Sequence, residues 1–140
     1  MKAFPQHFGW QDGNFVAIAP PESPEILVAD SWRVHQGTTW GLQDHVQRFM
    51  EGIEQQELDP AVSRDVTVEK FEKALQRKLS RISRATPGVD LFPRISVETH
   101  RGSWRIVLLV RPAPPPRKTT SLWLPGYTDR IQKPASGILF

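Results

Sequence analysis

The chain contains no cysteine among its 140 residues. Disulfide bonds, cysteine metal ligands and thiol nucleophiles are therefore excluded. No stretch approaches the roughly 18 consecutive apolar residues of a membrane-spanning helix, and the apolar runs near the N-terminus are too short for a secretory signal peptide. From these absences we expect a cytoplasmic protein that has no membrane partner.

The sequence also lacks the short motifs that mark common catalytic and metal sites. Its four histidines, His7, His35, His45 and His100, show neither the HExxH pattern nor any close metal-ligand spacing. It has no phosphate loop of the P-loop type and no Gly-x-Ser-x-Gly nucleophile elbow. We therefore expect no metal site, and these patterns give no support to a hydrolase.

The sequence also lacks a large excess of either positive or negative charge. The chain carries 18 basic and 15 acidic residues, a net charge of +3, and so small a surplus leads us to expect no nucleic-acid partner. The sequence is rich instead in tryptophan, with five residues, and in proline, with 13. The apolar content of 39% indicates a folded chain, and the length fits one domain.

Hydrophobic periodicity predicts strands on either side of a central helical region. The predicted strands are residues 15–20, 25–34, 92–100, 103–112 and 120–125. Turns are predicted at Gln36-Gly37, where a hairpin would lead into a further strand over 38–42, and at Arg101-Gly102. Helical spacing predicts helices over 42–53 and 68–82, with Thr67 as the N-cap of the second. This order predicts an α+β fold, with an antiparallel sheet and two helices packed on one face.

The stretch from Ala29 to Phe49, ADSWRVHQGTTWGLQDHVQRF, resembles the N-terminal signature of the class IV aminotransferases. These are the fold-type IV pyridoxal-phosphate enzymes, which include branched-chain and D-amino-acid aminotransferases and aminodeoxychorismate lyase. Asp30-Ser31-Trp32 stands where the family has Asp-Gly-Phe or Asp-Gly-Tyr. The segment 45–49, HVQRF, matches the family's His-x-x-Arg-Leu/Phe at the start of a helix. The resemblance implies the small N-terminal α+β domain of these enzymes, in which Arg48 binds the cofactor phosphate.

Two further matches lie downstream in the stretch that the resemblance spans, roughly residues 14–140. The strand IVLLVRP resembles a family strand that ends in Arg-Gly, although Pro112 stands here in place of the glycine. The match implies that Arg111 holds the carboxylate of the substrate. The segment TDRIQKPASG resembles the interdomain segment of the family, and it implies that Lys133 is the catalytic lysine, which links to pyridoxal phosphate.

The resemblance implies a small domain over residues 1–126 and an interdomain segment over 127–140, without the C-terminal cofactor-binding domain. We expect such a chain to be inactive unless a second domain or a partner chain completes it, with pyridoxal phosphate bound only then. The implied substrate is an amino acid or an aminochorismate-like molecule, and the implied assembly is a homo-oligomer or a pair with a complementary chain. Two alternatives stay open. One is a non-catalytic assembly protein that reuses the half-fold, and the other is a small α+β module that binds an acidic partner through Arg77, Lys78, Arg81 and Arg84.

Overall fold

The computed structural model describes residues 3–56 and 67–115 and shows an α+β fold. Its elements, in chain order, are β1 (Gln6–Gln11), β2 (Asn14–Ala17), β3 (Ile26–Ser31), α1 (Leu42–Gln55), α2 (Val68–Ala85), β4 (Arg94–His100) and β5 (Ser103–Val110). The five strands form one antiparallel sheet in the order β2-β1-β5-β4-β3. The predicted fold class is confirmed at this level, and neither described helix is long and apolar enough to cross a bilayer.

Both helices pack on the same face of the sheet, because each presents one apolar stripe and the strands alternate. The ring of Phe71 on α2 is fully buried at the centre of this layer. Its centroid lies 4.9 Å from that of Trp10, 5.5 Å from that of Phe15 and 5.7 Å from that of Phe49. This aromatic cluster therefore joins both helices to the β1–β2 hairpin. The opposite face of the sheet carries no described helix and is called the helix-free face below.

Helix α1 lies unusually close to strand β3. A Cβ atom added at Gly52 would stand 2.7 Å from Cγ1 of Val28, a distance that real Cβ atoms do not show. Glycine at this position lets the helix backbone approach the strand. The close approach brings the polar side of α1 over the end of β3, where the candidate site lies.

Helix α2 begins where the sequence predicts and ends later than predicted. The Thr67 hydroxyl oxygen accepts a hydrogen bond from the backbone N–H of Lys70 at 3.1 Å, so the predicted N-cap is confirmed. The helix ends at Ala85, three residues beyond the predicted end, and the hydroxyl of Thr86 donates to the carbonyl oxygen of Ile82 at 2.8 Å.

The predicted turn at Gln36-Gly37 is confirmed, whereas the strand expected after it does not form. His35 and Thr38 exchange two backbone hydrogen bonds of 3.0 Å, and both central residues have positive φ, as a type I′ turn requires. Pairing stops there because Gly41 adopts a left-handed conformation (φ 70°) and begins helix α1. The predicted strand over 120–125 lies outside the described residues.

Candidate functional site

Arg48, the predicted phosphate ligand, belongs to a polar cluster where α1 packs on β3. We call it the Asp30 cluster, formed by Asp30, Trp32, His45 and Arg48. Asp30 pairs across the sheet with buried Ile95, so its side chain points toward α1. Its Oδ2 accepts a hydrogen bond from Nη2 of Arg48 at 3.3 Å and lies 2.9 Å from Nδ1 of His45. The ring of Trp32 stacks on that of His45, with centroids 4.9 Å apart.

The imidazole of His45 touches both charged groups through one atom. Its Nδ1 lies 2.8 Å from Nη2 of Arg48 and 2.9 Å from Oδ2 of Asp30. A guanidinium only donates and an ionised carboxylate only accepts, so Nδ1 either accepts from Arg48 or donates to Asp30. The direct contact between Arg48 and Asp30 is present in both arrangements, and it holds the guanidinium in place.

The cluster combines a buried anion with a half-exposed cation. The Asp30 side chain is 8% exposed and that of Arg48 is 43% exposed. The ion pair offsets much of the positive charge that a second anion would meet at Arg48. The sequence identified Asp30 only as part of a motif, and its pairing with Arg48 follows from the packing of α1 on β3.

Arg111, the predicted ligand of the substrate carboxylate, lies on the helix-free face. It follows Val110, whose side chain is in the core, and strand alternation turns the Arg111 side chain the other way. Its Nε donates to the carbonyl oxygen of Phe92 at 3.2 Å, and its guanidinium stands 5.0 Å from the Phe92 ring centroid. Burial, with the nearby charge of Arg94, lowers the pKa of Arg111 below its usual value. The structure therefore places Arg48 and Arg111 on opposite faces of the sheet.

A second charged cluster, which the sequence did not identify as a site, occupies the helix-free face. Glu98 is only 1% exposed. Its Oε2 accepts a hydrogen bond from the Ser96 hydroxyl at 2.7 Å and lies 3.6 Å from Nη2 of Arg94. Oε1 of Glu98 and the Nε atoms of Arg94 and Arg105 are buried and have no hydrogen-bond partner among residues 3–56 and 67–115. Such groups are costly to bury, so this cluster is a second candidate for function.

His7 faces the Glu98 cluster from strand β1. Burial lowers the pKa of His7 from its usual 6.5; the carboxylate of Glu98 raises it and the charge of Arg94 lowers it further. The unfolded chain therefore binds a proton near pH 6.5 that the folded chain binds only at lower pH. Stability is retained above pH 6.5 and falls as the pH drops below that value.

We expect His7→Gln to reduce this loss of stability, because glutamine does not titrate. Urea unfolding at a series of pH values between 5 and 8, the range over which histidines change charge, measures the effect. His100→Gln is a second test of the same effect, because burial also lowers the pKa of His100, and it should reduce the loss of stability as well. A His7→Gln protein whose stability falls with pH as steeply as that of the unsubstituted chain would contradict the assignment.

Asp90 forms a third group, which ties the loop after β3 to the segment before β4. Its carboxylate accepts hydrogen bonds from Nε of Arg33 at 3.2 Å and lies 3.0 Å from Nδ1 of His35. The hydrogen bond to His35, with the contribution of Arg33, lowers the pKa of Asp90 from 3.8 although burial opposes the shift. These contacts are exposed and connect two loops, so we assign them a structural role.

The predicted catalytic residue Lys133 lies outside the described residues. Among residues 3–56 and 67–115 there is no group of three or more His, Asp or Glu side chains that could hold a metal ion. Comparison of the chain with protein-family models, with curated proteins and with solved structures finds no match.

Proposed function

We propose that this chain is the small domain of a pyridoxal-phosphate enzyme of fold type IV and that it works only with a second domain or a partner chain. The observation that supports the proposal is the setting of Arg48. The guanidinium stands on the first helix, is fixed by Asp30 and His45, and remains 43% exposed. A guanidinium has five N–H donors, of which only those on Nη2 make a contact with another described residue. The others suit phosphate oxygens.

The N–H donors of Arg48 can bind phosphate oxygens, but the negative charge of Asp30 repels a phosphate group. We therefore expect Arg48 alone to bind phosphate weakly, with most donors supplied by a second domain or a partner chain. When bound, pyridoxal phosphate would provide the electron sink for amino-acid chemistry. In this assignment Arg48 holds the phosphate, Arg111 orients the substrate carboxylate and Lys133 attaches the cofactor.

The relative positions of the two arginines limit how one site could use both. Asp30 pairs with Ile95, and Ile95 pairs with Leu108 of β5. Arg111 lies three residues after Leu108, just beyond the end of β5. Arg48, held by Asp30, and Arg111 therefore lie toward the same end of the sheet, on opposite faces. A site that uses both must extend across that end. Positioning supplies much of an enzyme's rate, so we expect no transamination from the chain alone.

Titration of the full chain with pyridoxal phosphate, followed by absorbance, tests the proposal. Because a second domain or a partner chain would supply most of the phosphate ligands, we expect the chain alone to attach the cofactor only at high concentration. The spectral change on covalent attachment should then be lost in Lys133→Ala and weakened in Arg48→Ala. Lys70→Ala is the control, because Lys70 is an exposed lysine on α2 that reports random reaction with surface amines. Equal uptake by the unsubstituted chain and Lys133→Ala would overturn the proposal. Self-association without any uptake would favour the non-catalytic assembly protein instead.

A further inference from the structure

The positive charge of the chain is concentrated in one part of helix α2 and the turn after it. Residues 73–89 contain five of the 18 basic residues and none of the 15 acidic ones. Without this stretch the chain would be acidic on balance. The expectation that no nucleic acid binds was based on the net charge, which hides this uneven distribution.

Four of these cations form a row that we call the basic surface: Lys73, Arg77, Arg81 and Arg84. All four side chains are exposed, and they line one shallow depression of about 530 Å³. Lys73, Arg77 and Arg81 are spaced four residues apart, so successive charges stand roughly 6 Å apart along the helix axis. The depression is also lined by Gln76 and Ser80, which add neutral hydrogen-bonding groups between the cations.

Most of this charge is not neutralised within the described residues. Lys73 has an exposed partner, Glu69, at 4.0 Å. Arg77 donates to the neutral side-chain oxygen of Asn14 at 3.1 Å, and no described ion pair involves Arg81 or Arg84. The helix dipole favours cations only in the last turn, so it does not account for a row that begins three turns earlier. The surface is suited to a linear anion.

An exposed tryptophan stands beside this surface. Trp40 is 81% exposed, which is unusual for so large an apolar side chain. One depression is lined by its neighbours Thr39 and Gly41 together with Gln76 of α2, and another by Gly37 together with Ser80 and Arg84. The first depression, which Glu72 also lines, shares Gln76 with the depression under the cations, and the second contains Arg84 of the basic surface. The segment that carries Trp40 therefore borders the basic surface. An exposed indole offers a face on which a base can stack.

We infer that the basic surface and Trp40 together bind single-stranded nucleic acid. The row of cations contacts successive phosphates, and one base stacks on Trp40. The tryptophan favours a polynucleotide over an acidic peptide, because aspartate and glutamate have no aromatic face to stack. It favours a single strand over a duplex, in which base faces are already stacked. The contacts read no base edge, so binding is independent of sequence. This inference does not depend on the proposed enzymatic function.

Fluorescence anisotropy with short labelled oligothymidine and oligouridine tests the inference on the full chain. We expect both to bind, with an affinity that falls as salt concentration rises. Arg81→Ala is expected to reduce the slope of log affinity against log salt by about 0.7, the value for one phosphate contact on a single strand. Trp40→Leu is expected to weaken binding about tenfold, within the range for one stacked base, and to leave the salt slope unchanged. The two substitutions therefore separate charge from stacking.

Arg101→Ala is the matched control, because it removes an exposed arginine from the β4–β5 turn and should leave both quantities unchanged. All the substituted residues are exposed, and circular dichroism checks that each variant is folded. If Arg101→Ala and Arg81→Ala weaken oligonucleotide binding equally, the effect comes from the net charge of the chain and the inference is overturned. Binding of a matched duplex as tight as that of the single strand, with no effect of Trp40→Leu, would also overturn it. Displacement of the oligonucleotide by an equal concentration of polyglutamate would indicate an acidic protein partner instead.

Discussion

Replacing Phe71 with alanine is expected to lower the free energy of unfolding by about 3–5 kcal/mol, the range for removing a fully buried phenylalanine. The ring is 0% exposed and contacts the rings of Trp10, Phe15 and Phe49. It therefore joins α2 to α1 and to the β1–β2 hairpin at one point. The cavity left by alanine would be bordered by three aromatic rings that cannot all move inward.

Urea unfolding of the full chain measures this effect. Single domains have total stabilities of about 5–15 kcal/mol, so this loss is a large fraction of the total and should lower the urea midpoint of Phe71→Ala strongly. Phe71→Leu should cost less, since it fills part of the space. Phe92→Ala is the matched control, because Phe92 is only partly buried and lies on the helix-free face. A similar decrease in the free energy of unfolding for Phe71→Ala and Phe92→Ala would show that the aromatic cluster does not stabilise the packing of the helices on the sheet.

The helices were the part of the fold that the sequence predicted best. In an amphipathic helix the spacing that makes the helix recognisable is the same spacing that buries its residues. The helical spacing that predicts α2 puts Phe71, Leu75 and Leu79 on one stripe, and all three are buried in the core. The cap at Thr67 was also predictable, since it depends on a side chain and a backbone N–H only three residues apart.

The sheet was less predictable because its pairing depends on residues far apart in the chain. Strand β1 was missed, since Gln6–Gln11 contains a glycine and two glutamines and has little β-branched character. It forms because its backbone pairs with β5, about 100 residues away. Glu98 shows the same limit, because the alternation along β4 puts it on the face opposite buried Val97 but does not indicate that its side chain is buried there as well.

The candidate site shows which information the sequence lacks. A helix motif identified Arg48, and its spacing from His45 indicated a shared side of α1. The partner that fixes both, Asp30, lies 15 residues before His45 on another element. Only the close approach of α1 to β3 at Gly52 and Val28 brings it within reach. The ion pair was therefore not predictable from motif spacing, although it determines how an anion would bind at Arg48.

Asp30→Asn is expected to change stability and phosphate binding in opposite directions. The substitution keeps the size of the side chain and removes the negative charge that Arg48 and His45 contact. We expect the free energy of unfolding to fall by about 1.5 kcal/mol, near the lower bound for a hydrogen bond to a charged group, because Arg48 is half exposed to solvent. Inorganic phosphate should bind Arg48 more tightly, since the competing carboxylate is gone.

Thermal unfolding with and without inorganic phosphate measures both effects in one experiment, because a ligand of the folded state raises the midpoint. The increase caused by phosphate should be larger in Asp30→Asn than in the unsubstituted chain and should disappear when Arg48→Ala is added. Asp90→Asn is the control, since it removes a carboxylate that also binds an arginine and a histidine but lies outside the Asp30 cluster. If Asp30→Asn lowers stability and phosphate has the same effect on all the proteins, Arg48 is only a structural partner of Asp30. The assignment of the cofactor phosphate to it would then be wrong.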